Sequence, residues 1–274
     1  MEFQAGATVA ALQSGLPLEP LENRILLCHA LGLTRVGLIT QSERAITQAE
    51  ADALGALVAR RLHGEPIAYI VGRREFFGLD FLVTGAVLIP RPDTELLVEL
   101  ALERLAPQGR VLDMGTGSGA IAVALAHTRR DAQVTALDVS PAALDVARQN
   151  AVTHGARVRL VQSDWFGAIE GERFDMVVSN PPYIASGDDH LSQGDLRFEP
   201  AGALTDHADG LSALRTIVKG APAHLEAGGW LLMEHGYDQA QQVRDLLTAH
   251  GYDEVASWRD LAGIERVTGG RRAA

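Results

Sequence analysis

Val111-Leu112-Asp113-Met114-Gly115-Thr116-Gly117-Ser118-Gly119-Ala120 decides the fold. The first four residues are short, mostly apolar and read as a buried strand. Alternating glycines then break the run, and an alanine-rich stretch over 119–127 reads as a helix. Glycine permits a tight turn there and lets the backbone approach a ligand closely. A second strand is predicted over 134–137, with Asp138 at its end. A helix over 141–150 follows, with Ser140 as its N-cap and Pro141 at its first position. Further strands are expected over 158–161 and 174–179. Helix 210–224, strand 229–234, helix 238–249 and the segments 252–258 and 264–268 close the chain. Strands alternating with helices predict an α/β, Rossmann-like, doubly wound and mostly parallel sheet. The last two segments have no helix between them and predict an antiparallel C-terminal hairpin.

A glycine turn between strand and helix fits three readings: a dinucleotide site, an S-adenosylmethionine site, or a turn with no ligand. Asp138 stands at about the distance expected of a ribose-binding acid. Asp113 directly before the glycines favours S-adenosylmethionine. A carboxylate there suits a cationic amino group and suits an anionic pyrophosphate poorly.

The second decisive stretch is Phe174-Asp175-Met176-Val177-Val178-Ser179-Asn180-Pro181-Pro182-Tyr183. A strand runs straight into two prolines. Neither proline has an N–H, and Pro181 biases Asn180 toward an extended backbone. The strand must stop, which leaves the Asn180 side chain and the Pro181 carbonyl to face a ligand. In a doubly wound sheet the carboxyl ends of the strands form the ligand crevice. The glycine turn, Asp138 and Asn180 all map to that edge.

Upstream, residues 1–72 read as a small all-α helical bundle. Leu21, Ile25, Leu26, Leu27, Ala30 and Leu31 recur at near-helical spacing after Pro20. Thr47 and Glu50 form a capping box that opens a helix carrying Ala53, Leu54, Leu57 and Val58. Residues 75–84 surround Gly78 with aromatic and β-branched side chains, which predicts a hairpin. The expected domains are the bundle (1–72), a β-hairpin linker (73–89) and a catalytic α/β domain (90–274).

Composition narrows the function. The 274 residues are 47% hydrophobic and 22% charged, which excludes whole-chain disorder. The net charge of -11 disfavours nucleic-acid and anionic-membrane partners. Residues 184–199 carry Asp188, Asp189, Asp195 and Glu199 against Arg197 alone, which suits phosphates badly beside the pocket. The only lysine is Lys219, so a phosphate loop with its lysine is absent. Cys28 is the only cysteine, so an intrachain disulfide is impossible and a reducing compartment is expected. The nine histidines include no metal-spaced pair, so no metal site is expected. The amino terminus lacks a basic signal region, and no run of eighteen uncharged apolar residues exists. A cytoplasmic chain, with no membrane partner, is expected.

Asp113-x-Gly115-x-Gly117-x-Gly119 with Asn180-Pro181-Pro182-Tyr183 resembles the class I S-adenosylmethionine-dependent methyltransferases that act on planar –NH₂ groups. Three further stretches are more specific: residues 87–95 (Val-Leu-Ile-Pro-Arg-Pro-Asp-Thr-Glu), residues 193–200 (Gln-Gly-Asp-Leu-Arg-Phe-Glu-Pro) and residues 265–268 (Glu-Arg-Val-Thr). With the helical amino-terminal region, they resemble the HemK/PrmC family over nearly the whole chain. The resemblance implies methylation of the glutamine side-chain amide in the Gly-Gly-Gln motif of class 1 peptide chain release factors. It implies S-adenosyl-L-methionine as cofactor, the bundle as substrate-recognition domain, and a monomer without direct nucleic-acid contact. A glutamine methyltransferase of a ribosomal protein ranks second, and an RNA or DNA adenine amino methyltransferase third.

The resemblance also implies the roles. Gly115, Thr116, Gly117, Ser118 and Gly119 wrap the methionine part of the cofactor. Asp138 takes the ribose hydroxyls, Trp165 lies at the adenine, and Asp164 stands near the adenine amino group. Asn180 and Pro181 orient the target amide, Pro182 lies at its flank, Tyr183 forms an aromatic wall that faces the cationic centre, and Asn180 also touches the methionine moiety. Arg91, Asp93 and Glu95 read either as capping the helix that follows Pro92 or, for Arg91 and Glu95, as shaping the pocket.

Overall fold

The computed structural model describes residues 3–273, which divide into two compact units at the boundary between Arg73 and Arg74. The first unit holds five helices: α1 (Val9–Gly15), α2 (Pro20–Leu31), α3 (Arg35–Thr40), α4 (Gln48–Leu62) and α5 (Ile67–Val71). Local chemistry sets their ends. Thr8 and Thr34 cap α1 and α3, Pro20 opens α2, and Gly32 in the left-handed conformation ends it. The Thr47–Glu50 capping box is formed in both directions. Val9, Leu26, Leu27, Leu38, Leu54 and Val58 make the core of this unit. Leu21 and Ala53, read with the apolar stripe, are exposed instead.

The second unit opens with β1 (Arg73–Phe76) and β2 (Leu79–Leu82), joined by a two-residue turn. Phe77 and Gly78 both have positive φ, as a tight hairpin turn of this twist requires. The stretch expected to act as a linker is embedded in the second unit. Phe76 and Phe81 are fully buried in its core, and Asn150 binds the Leu82 backbone in both directions, at 2.7 and 3.0 Å. Burial of two aromatic side chains outweighs the freedom of a connecting strand.

The remaining elements are α6 (Glu95–Arg104), β3 (Arg110–Met114), α7 (Ala120–Thr128), β4 (Gln133–Asp138), α8 (Pro141–Thr153), β5 (Val158–Gln162), β6 (Phe174–Ser179), α9 (Ala201–Leu204), α10 (Ser212–His224), β7 (Leu225–Glu234), α11 (Ala240–Ala249), β8 (Tyr252–Arg259) and β9 (Glu265–Arg272). The strands form one seven-stranded sheet in the order β5-β4-β3-β6-β7-β9-β8. All pairings are parallel except those of β9, which runs antiparallel to both β7 and β8. The Rossmann-like sheet and its antiparallel end therefore form as the sequence predicts. Each face of the sheet has its own apolar cluster, one with α6 and α7 and the other with α10 and α11. Two covered faces explain why β3 and β6 read as continuous apolar runs.

The chain leaves β3 toward β4 and β5 on one side, then returns to place β6 on the other. This switch point opens a crevice at the carboxyl ends of β3 and β6. Asn150 ties three parts of that region together, because its Nδ2 also donates to the Ser118 carbonyl at 2.8 Å. Asn150→Ala should lower stability by about 2–4 kcal/mol, since buried backbone groups of Leu82 and Ser118 lose partners. A shift of the urea midpoint measures it, and a shift within error would show that the hairpin does not depend on this anchor.

Candidate active site

Met114 and Ser179 pair across the β3–β6 ladder, and the Ser179 hydroxyl donates to the Met114 carbonyl at 2.7 Å. The residues that follow, Gly115 and Asn180, leave the sheet side by side. They border a cavity of about 340 Å³, within the range of small-molecule sites. Of the residues expected at the site, Gly115, Thr116, Gly117, Ser118, Asp138, Asp164, Trp165, Asn180 and Pro182 line it. Gly119, Pro181 and Tyr183 do not. Pro90, Arg91, Thr94, Pro200, Gly202 and Ala203 line it as well.

The glycine loop is held by two backbone donors bonded to the end of β4. The Thr116 N–H donates to the Leu137 carbonyl at 2.8 Å, and the Gly117 N–H donates to Asp138 Oδ2 at 2.9 Å. Asp138 Oδ1 accepts from the Ser140 N–H at 2.9 Å. Gly117 has φ +55° and open space where a Cβ would stand, so a ligand can lie against its backbone. Gly119 serves packing: a Cβ there would come within 3.1 Å of the Ala147 side chain on α8. Trp165 sits at φ +48°, a conformation an aromatic residue rarely takes. The Ser163 hydroxyl holds it by donating to the Trp165 carbonyl at 2.7 Å.

Asp113 departs from the expectation. It is fully buried beneath the loop and is not part of the cavity wall. Its Oδ2 accepts from the Thr116 hydroxyl at 2.6 Å, and Oδ1 makes no well-formed hydrogen bond. Burial pushes its carboxyl up to about 7, with Asp138 adding to the rise and the Thr116 hydroxyl opposing it. Its reach to a ligand runs through the loop, since its carboxylate is buried and holds the Thr116 hydroxyl.

Asn180 donates Nδ2–H to the Thr94 hydroxyl oxygen at 3.1 Å. Its Oδ1 is thereby left as an acceptor at the cavity. The Tyr183 hydroxyl points away and donates to Glu234 Oε1 at 3.1 Å. Glu234 ends β7, is fully buried, and has its carboxyl pushed up to about 7, chiefly by burial. Arg91 is ion-paired with buried Glu199, whose other oxygen accepts from the Ile89 N–H at 2.9 Å. Glu95 has no place at the cavity, because its Oε1 accepts from the Phe77 N–H at 2.8 Å and secures the hairpin turn.

Three residues of this arrangement escape a reading of the sequence: Thr94, Glu199 and Glu234. Thr94 and Glu199 lie inside stretches that carry the family resemblance without showing their partners. Glu234 had a signal. It is a carboxylate closing an apolar strand, at the same sheet edge as Asp138 and Asn180.

The cavity suits S-adenosylmethionine. A glycine-rich loop, the Asp138 carboxylate and the Trp165 side chain all border it. Residues 92–202 match the Methyltransferase small domain family, and residues 6–72 match the PrmC N-terminal domain family. A solved methyltransferase from Pyrococcus furiosus has the same fold, with a TM-score of 0.56 at 22% identity over 79% of this chain and 98% of its own. Fold and site thus define a methyltransferase. Release factor glutamine methyltransferase of Burkholderia pseudomallei is 56% identical over 97% of this chain and 96% of its own. That of Bordetella pertussis is 56% identical over 93% and 95%. The chain belongs to this family, the HemK/PrmC glutamine methyltransferases.

Asp113 gives a test of the buried loop support. With its carboxyl raised from 3.8 to about 7, the folded protein binds more protons than the unfolded chain between those values. Stability therefore falls as pH rises through that window. Asp113→Asn should remove this component, sparing roughly 2–4 kcal/mol of the loss between pH 4.5 and pH 8. Urea midpoints of both proteins across that range measure it, and parallel profiles would contradict a buried, proton-binding Asp113.

Proposed function

We propose that this protein methylates the side-chain amide nitrogen of the glutamine in the Gly-Gly-Gln motif of class 1 peptide chain release factors. The observation that carries this reading is Asn180, whose Nδ2 is committed to Thr94 while Oδ1 stays an acceptor at the cavity. A planar –NH₂ substrate needs such an acceptor. Membership in the family supports a release factor as its source.

When bound, S-adenosyl-L-methionine supplies an electrophilic methyl group. Gly115, Thr116, Gly117 and Ser118 would cradle its methionine part, with Gly119 packing the loop against α8. Asp138 would accept from the ribose hydroxyls, Trp165 would cover the adenine, and Asp164 would stand beside the adenine amino group. The reluctant partner is the amide nitrogen, whose lone pair is delocalised by the resonance that gives a peptide bond its rotation barrier of about 18–20 kcal/mol. Asn180 Oδ1 and the Pro181 carbonyl each accept one N–H of the glutamine. They hold the nitrogen in line for transfer and favour the positive charge that develops on it. Pro182 flanks the amide, and Tyr183 braces the element from behind. The extra proton on nitrogen leaves to water or a backbone acceptor.

A pocket that sees only an amide supplies little selectivity. Residues 1–72 add nothing to the cofactor fold and serve as the recognition unit for the release factor. Two glycines before the target glutamine let its backbone approach a narrow crevice closely. The protein acts as a cytoplasmic monomer on a protein substrate, consistent with its net charge of -11.

Incubation with labelled S-adenosylmethionine should label an intact release factor and leave RNA and ribosomal protein unlabelled. Label in RNA, or in a release factor whose Gly-Gly-Gln glutamine has been replaced, would overturn the substrate. Asn180→Ala should lower kcat by roughly 10²-fold or more, the scale of losing one pre-organised polar group. Steady-state kinetics with the release factor measure this, and near-normal turnover would remove Asn180 from the mechanism.

A further inference from the structure

The element from Asn180 to Tyr183 has little means of holding itself. Pro181 and Pro182 carry no N–H, so neither can tie its own backbone to a neighbour. On the strand side the Ser179 hydroxyl is bonded to the Met114 carbonyl, and the Asn180 side chain to Thr94. On the far side one side chain takes the Tyr183 carbonyl. Gln239, in the turn between β7 and α11, donates Nε2–H to that oxygen at 3.0 Å. Its Nε2 also donates to the Gly210 carbonyl at 3.3 Å, and its Oε1 accepts from the Gly236 N–H at 2.9 Å. These partners fix the direction of the amide, because an N–H faces its oxygen and two carbonyls face its nitrogen. Gln239 is buried and does not border the cavity.

Gly210 keeps this contact close. It sits at φ +81°, and a Cβ there would stand 2.5 Å from the Tyr183 carbonyl oxygen and 3.0 Å from Gln239 Nε2. Asp206 holds the Gly210 loop in turn. Its Oδ1 accepts from the Gly210 N–H at 3.0 Å and its Oδ2 from the Ser212 N–H at 2.7 Å.

We propose that Gln239 is a positioning residue for methyl transfer, which fixes the direction of the Pro181 carbonyl by anchoring the Tyr183 carbonyl two residues on. The inference rests on the proposed glutamine amide substrate, one N–H of which the Pro181 carbonyl accepts. Each proline ring locks φ near about −65°, so little rotation remains between Asn180 and Tyr183. With both ends of so stiff a segment held, the Pro181 carbonyl keeps one direction. Release of the Tyr183 end returns freedom to it, and an acceptor that was pre-organised must be oriented at each turnover. The glycine loop and Asp138 hold one another, and among the described residues Gln239 bonds to neither. Cofactor binding is therefore independent of Gln239.

Three substitutions test this in the full chain with a release factor and S-adenosylmethionine. Gln239→Met keeps the length of the side chain and removes its three bonds. Gly210→Ala leaves Gln239 in place and presses a methyl group on the same carbonyl oxygen. Each should lower kcat about fivefold or more, the scale of one buried hydrogen bond. Affinity for S-adenosylhomocysteine, measured by calorimetry, should stay within about twofold of wild type. The Gln239→Met/Gly210→Ala double variant should be no slower than the slower single one, because both act on one oxygen. Gln239→Glu adds a readout that packing alone would not move. Ionised, it offers the Tyr183 carbonyl no donor; protonated, it donates again. Its kcat relative to wild type should rise about threefold or more from about pH 9 to about pH 6, while that of Gln239→Met stays level. Normal kcat in Gln239→Met, losses that multiply in the double variant, or the same pH response in both Gln239 variants would overturn the proposal. So would Gln239 variants that lose cofactor affinity or do not fold, since Gln239 would then support the whole sheet edge. If Gly210→Ala does not fold, the two Gln239 variants decide. A wild type that fails to label the release factor instead defeats the substrate assignment.

Discussion

The pairing of β3 with β6 is the constraint on which the site depends. Met114 and Ser179 lie opposite one another, and the Ser179 hydroxyl closes the gap to the Met114 carbonyl. Because the strands are parallel, both end at the same edge. A parallel pair needs a long crossover, and here the chain passes through β4 and β5 before returning. The crevice therefore lies between two loops that are distant in sequence and adjacent in space. The register also decides the chemistry. A shift of one residue would turn the side chains that follow to the opposite face.

Carboxylates are buried around this crevice at some cost. Asp113, Glu199 and Glu234 are all shielded from water, and burying a charge is unfavourable unless donors surround it. Glu199 meets Arg91 and a backbone N–H. Asp113 and Glu234 meet mainly hydroxyls, and burial raises both. Apolar side chains would fill the same space more favourably but would leave the Thr116 and Tyr183 hydroxyls without these acceptors. What the carboxylates contribute is a fixed acceptor for the hydroxyls of Thr116 and Tyr183 beside the crevice.

Much of this was legible in the chain. The strand–turn–helix at Gly115, Asp138 at the end of its strand and the halt at Asn180 are local features, each fixed by a few neighbouring residues. The caps at Thr47 and Ser140 are local too, and both form. Errors arise where a residue's surroundings come from elsewhere. Leu21 keeps helical spacing but faces solvent, because periodicity does not say how wide the buried stripe is. Asp113 suits a cation by charge, but its strand turns it into the protein interior. Glu95 opens a helix as capping chemistry predicts, and its carboxylate serves a hairpin turn 18 residues earlier.

The sequence by itself determined the class of fold and the family, because these rest on backbone preferences and on motifs read within one stretch. Tertiary structure alone decided which way the cavity residues point and what supports them. Thr94 reaches Asn180 across 86 residues, Glu199 reaches Arg91 across 108, and Glu234 reaches Tyr183 across 51. A hydrogen bond depends on positions within a few tenths of an ångström, and those positions are set by packing of the whole sheet rather than by either partner's neighbours.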